Sequence, residues 1–116
     1  LHVDDLGEAC VFCLENWDPE SPNAPRNKEG KKLNLLNVGT GRDCSIKELA
    51  ERVAQTVNFE GTILWDTSFP DGSPKKQLDV SRLKNMGWTA KIRLSTGLKE
   101  AYSDFINCRA NETLRE

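Results

Sequence analysis

Lys75 and Lys76 stand side by side in a proline/glycine loop, with Asp71 a few residues upstream. No other set of residues in the chain is as well placed to grip a charged ligand. The surrounding run, Thr62 to Leu83, reads TILWDTSFPDGSPKKQLDVSRL. It predicts a strand at Thr62–Asp66, a loop shaped by Gly72 and Pro74, and a helix that opens at Asp79. A strand that delivers two lysines to a loop suits a phosphorylated ligand. A charge-assisted hydrogen bond to phosphate is worth roughly 1.5–3 kcal/mol when partly desolvated. The same residues also read as a solvated surface loop, and physics alone leaves both readings open.

Other chemistry is weaker. Gly39-Thr40-Gly41 between a strand and a helix invites a dinucleotide reading, in which glycines let the backbone approach a pyrophosphate at a helix N-terminus. The third glycine is missing, since Cys44 and Ser45 stand where it should fall, and no acidic strand end follows at the required distance. The turn reads as a tight connection ahead of a capped helix. Tyr102 is the single tyrosine, and position 106, four residues on, is Ile. A Tyr–Lys pair at that spacing, in which the lysine lowers the phenol's pKa for proton transfer, is therefore absent, and Tyr102 is expected in the core. The single histidine, His2, has no assured partner for a triad.

Cys10 and Cys13 form a C-x-x-C, while Cys44 and Cys108 are isolated. Zinc would need two further ligands nearby, so no metal site is expected. The C-x-x-C lies in an apolar helical pattern, and its thiols are read as small packing groups. Asn111-Glu112-Thr113 matches a glycosylation sequon of a kind common by chance.

The elements that must position these groups follow from periodicity. Leu6, Ala9, Cys10, Cys13, Leu14 and Trp17 predict one apolar face of a helix over about Asp5 to Asn16, capped by Asp4 or Asp5, with Asp5 and Glu8 at capping-box spacing. Asp18 to Lys32 carries three prolines and reads as a long, flexible surface loop inserted between elements. Leu33–Val38 reads as a buried strand. Ser45 with Glu48 predicts a capping box for a second helix with Ile46, Leu49, Ala50, Val53 and Val57 on its stripe. Asp79 caps a short helix that Gly87 ends, and Ser95 caps a last helix carrying Leu98, Ala101, Tyr102 and Phe105. The tail after Asn107 is polar and expected to fray. The order of helix, strand, helix, strand, helix, helix is α/β, with too few strands for a complete sheet.

The chain has 116 residues, enough for one domain, and 37% are hydrophobic. No apolar run is long enough to span a membrane. The start is acidic where a leader would be basic, and a cytoplasmic location is expected. Net charge is −2 with the signs interspersed, so the basic footprint of a nucleic-acid binder is absent. The dense cationic stretch Arg26–Lys32 reads as a solvated loop. Leu1 opens the chain inside what reads as a structured element, as in a fragment of a longer protein.

Four segments carry a family resemblance: HVDDLGEAC from His2, NVGTGRDCSIKELAERVAQTV from Asn37, WDTSFPDGSPKKQLDVSRLKNMGW from Trp65, and LSTGLKEAYSDF from Leu94. Together they resemble, in order, the C-terminal substrate-binding part of the GDP-L-fucose synthase family, a group of extended short-chain dehydrogenase/reductases. The first two occur broadly among extended short-chain reductases, and the third is more specific. The long Asp18–Lys32 loop departs from the pattern without disturbing these motifs.

The resemblance implies an α/β C-terminal fragment, residues 1–116, without the complete Rossmann domain. It implies a whole enzyme that epimerises GDP-4-keto-6-deoxy-D-mannose at C3 and C5 and reduces it at C4 with NADPH. The cofactor would be bound by the missing N-terminal domain, and the full-length enzyme is expected to be a homodimer. In the family's loop the second lysine contacts the substrate diphosphate, which falls on Lys76, and the loop aspartate is a substrate contact, which falls on Asp71. The catalytic residues lie upstream in the family, so the fragment alone is expected to be inactive. The rivals are a non-enzymatic α/β assembly module, and the substrate domain of another nucleotide-sugar epimerase or reductase.

Overall fold

A computed structural model describes residues 1–70 and 72–111. Four helices run through it: α1 (Val3–Asn16), α2 (Ile46–Thr56), α3 (Ser81–Asn85) and α4 (Leu94–Ala110). They fall into two units. The first joins Leu1–Arg42 to Gln77–Ile92, and the second joins Asp43–Lys76 to Arg93–Glu116.

The first unit holds α1 and α3 around a small core of Ala9, Leu83 and Trp88. Phe12, Cys13, Leu36, Val38 and Ala90 pack against it half-buried. The buried face of α1 is Asp5, Ala9, Phe12 and Cys13, at helical spacing. Of the face the sequence predicts (Leu6, Ala9, Cys10, Cys13, Leu14 and Trp17), Ala9 and Cys13 reach the core, whereas Cys10 is exposed and Leu14 is 87% exposed, so the buried stripe is rotated toward Asp5.

Asp5 explains the rotation. It is 2% exposed, and its carboxylate accepts hydrogen bonds from the backbone amides of Lys91 at 2.9 Å and Ile92 at 3.0 Å. A buried carboxylate needs such partners. The bond from the Lys91 amide, against the opposing effect of burial, holds its pKa below the usual value. Glu8, one turn on, pairs with the Lys91 ammonium. Asp5 is thus committed to a distant segment and does not cap α1. The cap is His2, whose Nδ1 accepts from the Asp4 amide at 3.3 Å.

α3 begins at Ser81, later than the sequence predicts. Val80 occupies the cap position without a side-chain bond, while Asp79 Oδ1 accepts from the Ser81 amide at 2.9 Å. The helix ends as expected at Gly87, whose φ of 109° suits a residue without a Cβ. The Gly87 amide bonds Lys84 O at 3.0 Å, and the Trp88 amide bonds Leu83 O at 3.1 Å. This is a Schellman ending, whose usual hydrophobic contact joins the residue after the glycine to the helix's last turn. Those two residues are Trp88 and Leu83, so the helix stop and the core are one feature.

The Asp18–Lys32 segment is laced by its own bonds. Arg26 donates to Ser21 O at 2.8 Å, Asn27 Oδ1 accepts from the amides of Glu29 and Lys31, and Lys32 pairs with Glu20. An isolated antiparallel bridge joins Arg26 to Lys32.

In the second unit α2 packs on α4. The expected capping box is present: Ser45 Oγ accepts from the Glu48 amide at 3.1 Å, and Glu48 accepts from the Ser45 amide at 2.9 Å. α2 ends on Asn58, whose φ of 53° is left-handed, while the Phe59 amide bonds Ala54 O at 2.8 Å. α4 starts at Leu94 with Arg93 at the cap position, so Ser95 lies inside the helix and does not cap it.

Neither predicted strand is a strand among the described residues. Leu33–Val38 and Thr62–Asp66 have no regular structure, and helices with the Arg26–Lys32 bridge are the regular features found. The α/β class read from the sequence is therefore not confirmed by the described residues. The physical reason is that a strand exists only through a ladder to a neighbour, and neither segment has one among the described residues. Leu36 and Val38 still reach the core, but Leu64 is 86% exposed.

Candidate functional site: the lysine loop and its anchor

The loop from Asp66 to Lys76 begins on a local turn in the second unit. Asp66 Oδ1 accepts from the Ser68 hydroxyl at 2.6 Å and the Ser68 amide at 2.9 Å. These two bonds, the hydroxyl's first, hold the Asp66 pKa down. Lys75 and Lys76 are exposed and make no hydrogen bond or ion pair among the described residues. Two adjacent exposed cations suit an anionic ligand. Asp71, the other site residue expected from the sequence, lies outside the described residues.

The chain leaves the loop through a segment fixed within the first unit. Gln77 Nε2 donates to Gly41 O, and Asn37 Nδ2 donates to Asp79 O at 3.1 Å. Between these ties, a Cβ on Gly39 would lie 3.4 Å from Val80 Cγ1, and a Cβ on Gly41 would lie 3.0 Å from Val80 Cγ2. Sequence reasoning missed Asn37 and Gln77, because nothing local signals a bond across 36 or 42 residues.

The same geometry decides what the Gly39–Gly41 turn does. Its glycines let Val80 pack close to the backbone, and Gly41 also adopts a φ of 68°. At the start of α2 the Glu48 carboxylate already occupies the cap, bonded to the Ser45 amide and hydroxyl. A carboxylate there opposes a pyrophosphate by charge. These residues do not fit a dinucleotide phosphate.

Tyr102 is half-buried, not in the core. It lines an open groove of the second unit with Thr56, Lys99, Ser103, Ile106 and Asn107. Cys13 packs on the core of the first unit, and burial, with Cys10 nearby, raises its thiol pKa. No group of three potential metal ligands occurs among the described residues, and no described helix is long and apolar enough to cross a membrane.

No protein-family model matches the chain. Individual proteins do. The chain is 42% identical over 106 residues to a putative GDP-L-fucose synthase 2 of Arabidopsis thaliana, covering 91% of this chain and 28% of that protein. It is 40% identical over 114 residues to the GDP-L-fucose synthase of Escherichia coli K12, covering 91% of this chain and 32% of that one. Among solved structures, a GDP-6-OMe-4-keto-L-xylo-heptose reductase from Campylobacter jejuni superposes with a TM-score of 0.77 at 32% identity, over 92% of this chain and 30% of that one. A GDP-mannoheptose C4 reductase from the same organism, with NADP bound, gives a TM-score of 0.70 at 32% identity, over 91% of this chain and 30% of that one. The chain thus spans about 30% of the length of the relatives it matches, and the similarity is to their C-terminal portion.

Proposed function

We propose, from this similarity to the C-terminal portion of GDP-L-fucose synthases, that the chain is the substrate-binding part of an NADPH-dependent GDP-sugar epimerase/reductase. The observation that carries the proposal is identity of 40–42% to GDP-L-fucose synthases over 91% of the chain. In the whole enzyme the substrate would be GDP-4-keto-6-deoxy-D-mannose, epimerised at C3 and C5 and reduced at C4.

Within this chain, Lys76 neutralises a substrate phosphate. Its side chain is exposed, and no hydrogen bond or ion pair joins it to another described residue. Asp71 accepts a hydrogen bond from the substrate or orders the loop around Gly72 and Pro74. NADPH would be held by residues outside this chain, consistent with the misfit of the Gly39–Gly41 turn, and would supply the hydride for C4. The chain itself carries no Tyr–Lys pair at the spacing proton transfer to a ketone would use, since Ile106 follows Tyr102 by four residues. The whole enzyme acts as a cytoplasmic homodimer in this reading.

The test is NADPH oxidation with GDP-4-keto-6-deoxy-D-mannose, run on the full-length protein and on residues 1–116 alone. The full-length protein should consume NADPH and be inhibited by GDP more strongly than by UDP, while the isolated chain should be inert. Turnover by the chain alone, or inhibition by UDP in preference to GDP, contradicts the proposal.

A further inference from the structure

We infer that Gln77, assisted by Asn37, is a positioning residue for Lys76; this rests on the reading above that Lys76 contacts the substrate diphosphate.

The two ties are alike in kind. Each is a side-chain amide donating to a main-chain carbonyl on the other segment: Asn37 to Asp79 O, and Gln77 to Gly41 O. The pairs 37–79 and 41–77 run in opposite senses, so Asn37–Gly41 and Gln77–Val80 lie antiparallel. No backbone ladder joins them among the described residues. Side-chain amides, with Leu78 and Val80 resting on Gly39, do the work a ladder would do in a sheet. A side-chain tie can be removed by mutation without touching the backbone, which makes the device testable.

Lys76 is the residue immediately before Gln77. Among the described residues, Gln77 is therefore the first point after Lys76 that is tied by a hydrogen bond. A lysine side chain loses much rotamer freedom when it engages a ligand. Fixing the backbone next to it lowers the remaining disorder that binding must remove. Asn37 acts on Asp79, two residues further along, so its effect on the lysine is smaller.

The experiment uses the full-length enzyme and GDP-4-keto-6-deoxy-D-mannose as the varied substrate. Gln77→Met keeps the side-chain length and removes the donor. Gln77→Glu replaces the donor with an acceptor facing the Gly41 carbonyl. Both should raise the substrate KM about three- to tenfold, the range of one modest hydrogen bond. The kcat should stay within about twofold, and the KM for NADPH should not move. Asn37→Leu should raise the substrate KM less.

The deciding comparison is the double variant Lys76→Ala/Gln77→Met. If Gln77 acts through Lys76, the double variant has the KM of Lys76→Ala alone, a complete failure of additivity. Additive effects, or an unchanged KM in both Gln77 variants while Lys76→Ala raises it, overturn the positioning role and leave the lysine's role standing. An unchanged KM in Lys76→Ala overturns the underlying reading and the inference with it.

Discussion

Replacing Gly41 with alanine should destabilise the chain by about 2–5 kcal/mol, for two separable reasons. The first is conformational. Gly41 has a φ of 68°, and an L-residue in that region is disfavoured by roughly 1–2 kcal/mol. The second is steric. The added Cβ would lie 3.0 Å from Val80 Cγ2, tighter than ordinary contact, and overpacking of this kind costs about 1–3 kcal/mol. Gly39 and Gly72 are internal controls. A Cβ at Gly39 meets Val80 at 3.4 Å with no left-handed backbone, and one at Gly72 meets nothing within 4 Å. Their alanine variants should lie within about 1 kcal/mol of the parent. Urea unfolding followed by tryptophan fluorescence, with buried Trp88 as reporter, gives the order Gly41→Ala, then Gly39→Ala, then Gly72→Ala. Adding Val80→Ala to Gly41→Ala should relieve the steric part and leave the conformational part. If Gly41→Ala is as benign as Gly72→Ala, the packing account of this turn is wrong.

Other consequences can be measured on the same protein. Leu83→Ala, at a site 1% exposed, should cost about 2–5 kcal/mol in urea unfolding, because it opens the core where α3 ends. Ser45→Ala removes one half of the α2 capping box and should cost about 1 kcal/mol, with a fall in helix content detectable by circular dichroism on heating. The lowered pKa of Asp5 gives a pH signature: its contribution is fully present above the ordinary aspartate value of 3.8 and is lost as pH falls through the lower folded-state value. Asp5→Asn should therefore be less stable at neutral pH and lose less stability than the parent as the pH falls below the ordinary aspartate value. An unchanged acid profile would show that the two amide bonds to Asp5 do not persist in solution.

What could be read from the sequence was local. Ser45 and Glu48 declared their capping box because both partners lie within one turn, and Gly87 declared the end of α3 for the same reason. Asn58 carried a readable signal, since asparagine favours the left-handed position that closes α2. The errors came from partners far along the chain. Asp5 has the spacing of a capping residue, but its bonds go to Lys91 and Ile92. Leu33–Val38 and Thr62–Asp66 have strand composition, but composition supplies no ladder. The candidate site divides in the same way. Lys76 is proposed from its loop and from the family resemblance, whereas the ties of Asn37 and Gln77 became visible only once the fold brought residues 36 and 42 positions apart into contact.

The central claim is that Lys76 grips the diphosphate of a GDP-sugar. Calorimetric titration of GDP into the full-length protein and its Lys76→Ala variant tests it most directly. A charge-assisted hydrogen bond of about 1.5–3 kcal/mol, reduced by the exposure of the loop, corresponds to roughly a tenfold weaker Kd for GDP. The Kd for NADPH should be unchanged. Equal GDP affinity in the two proteins would contradict the account.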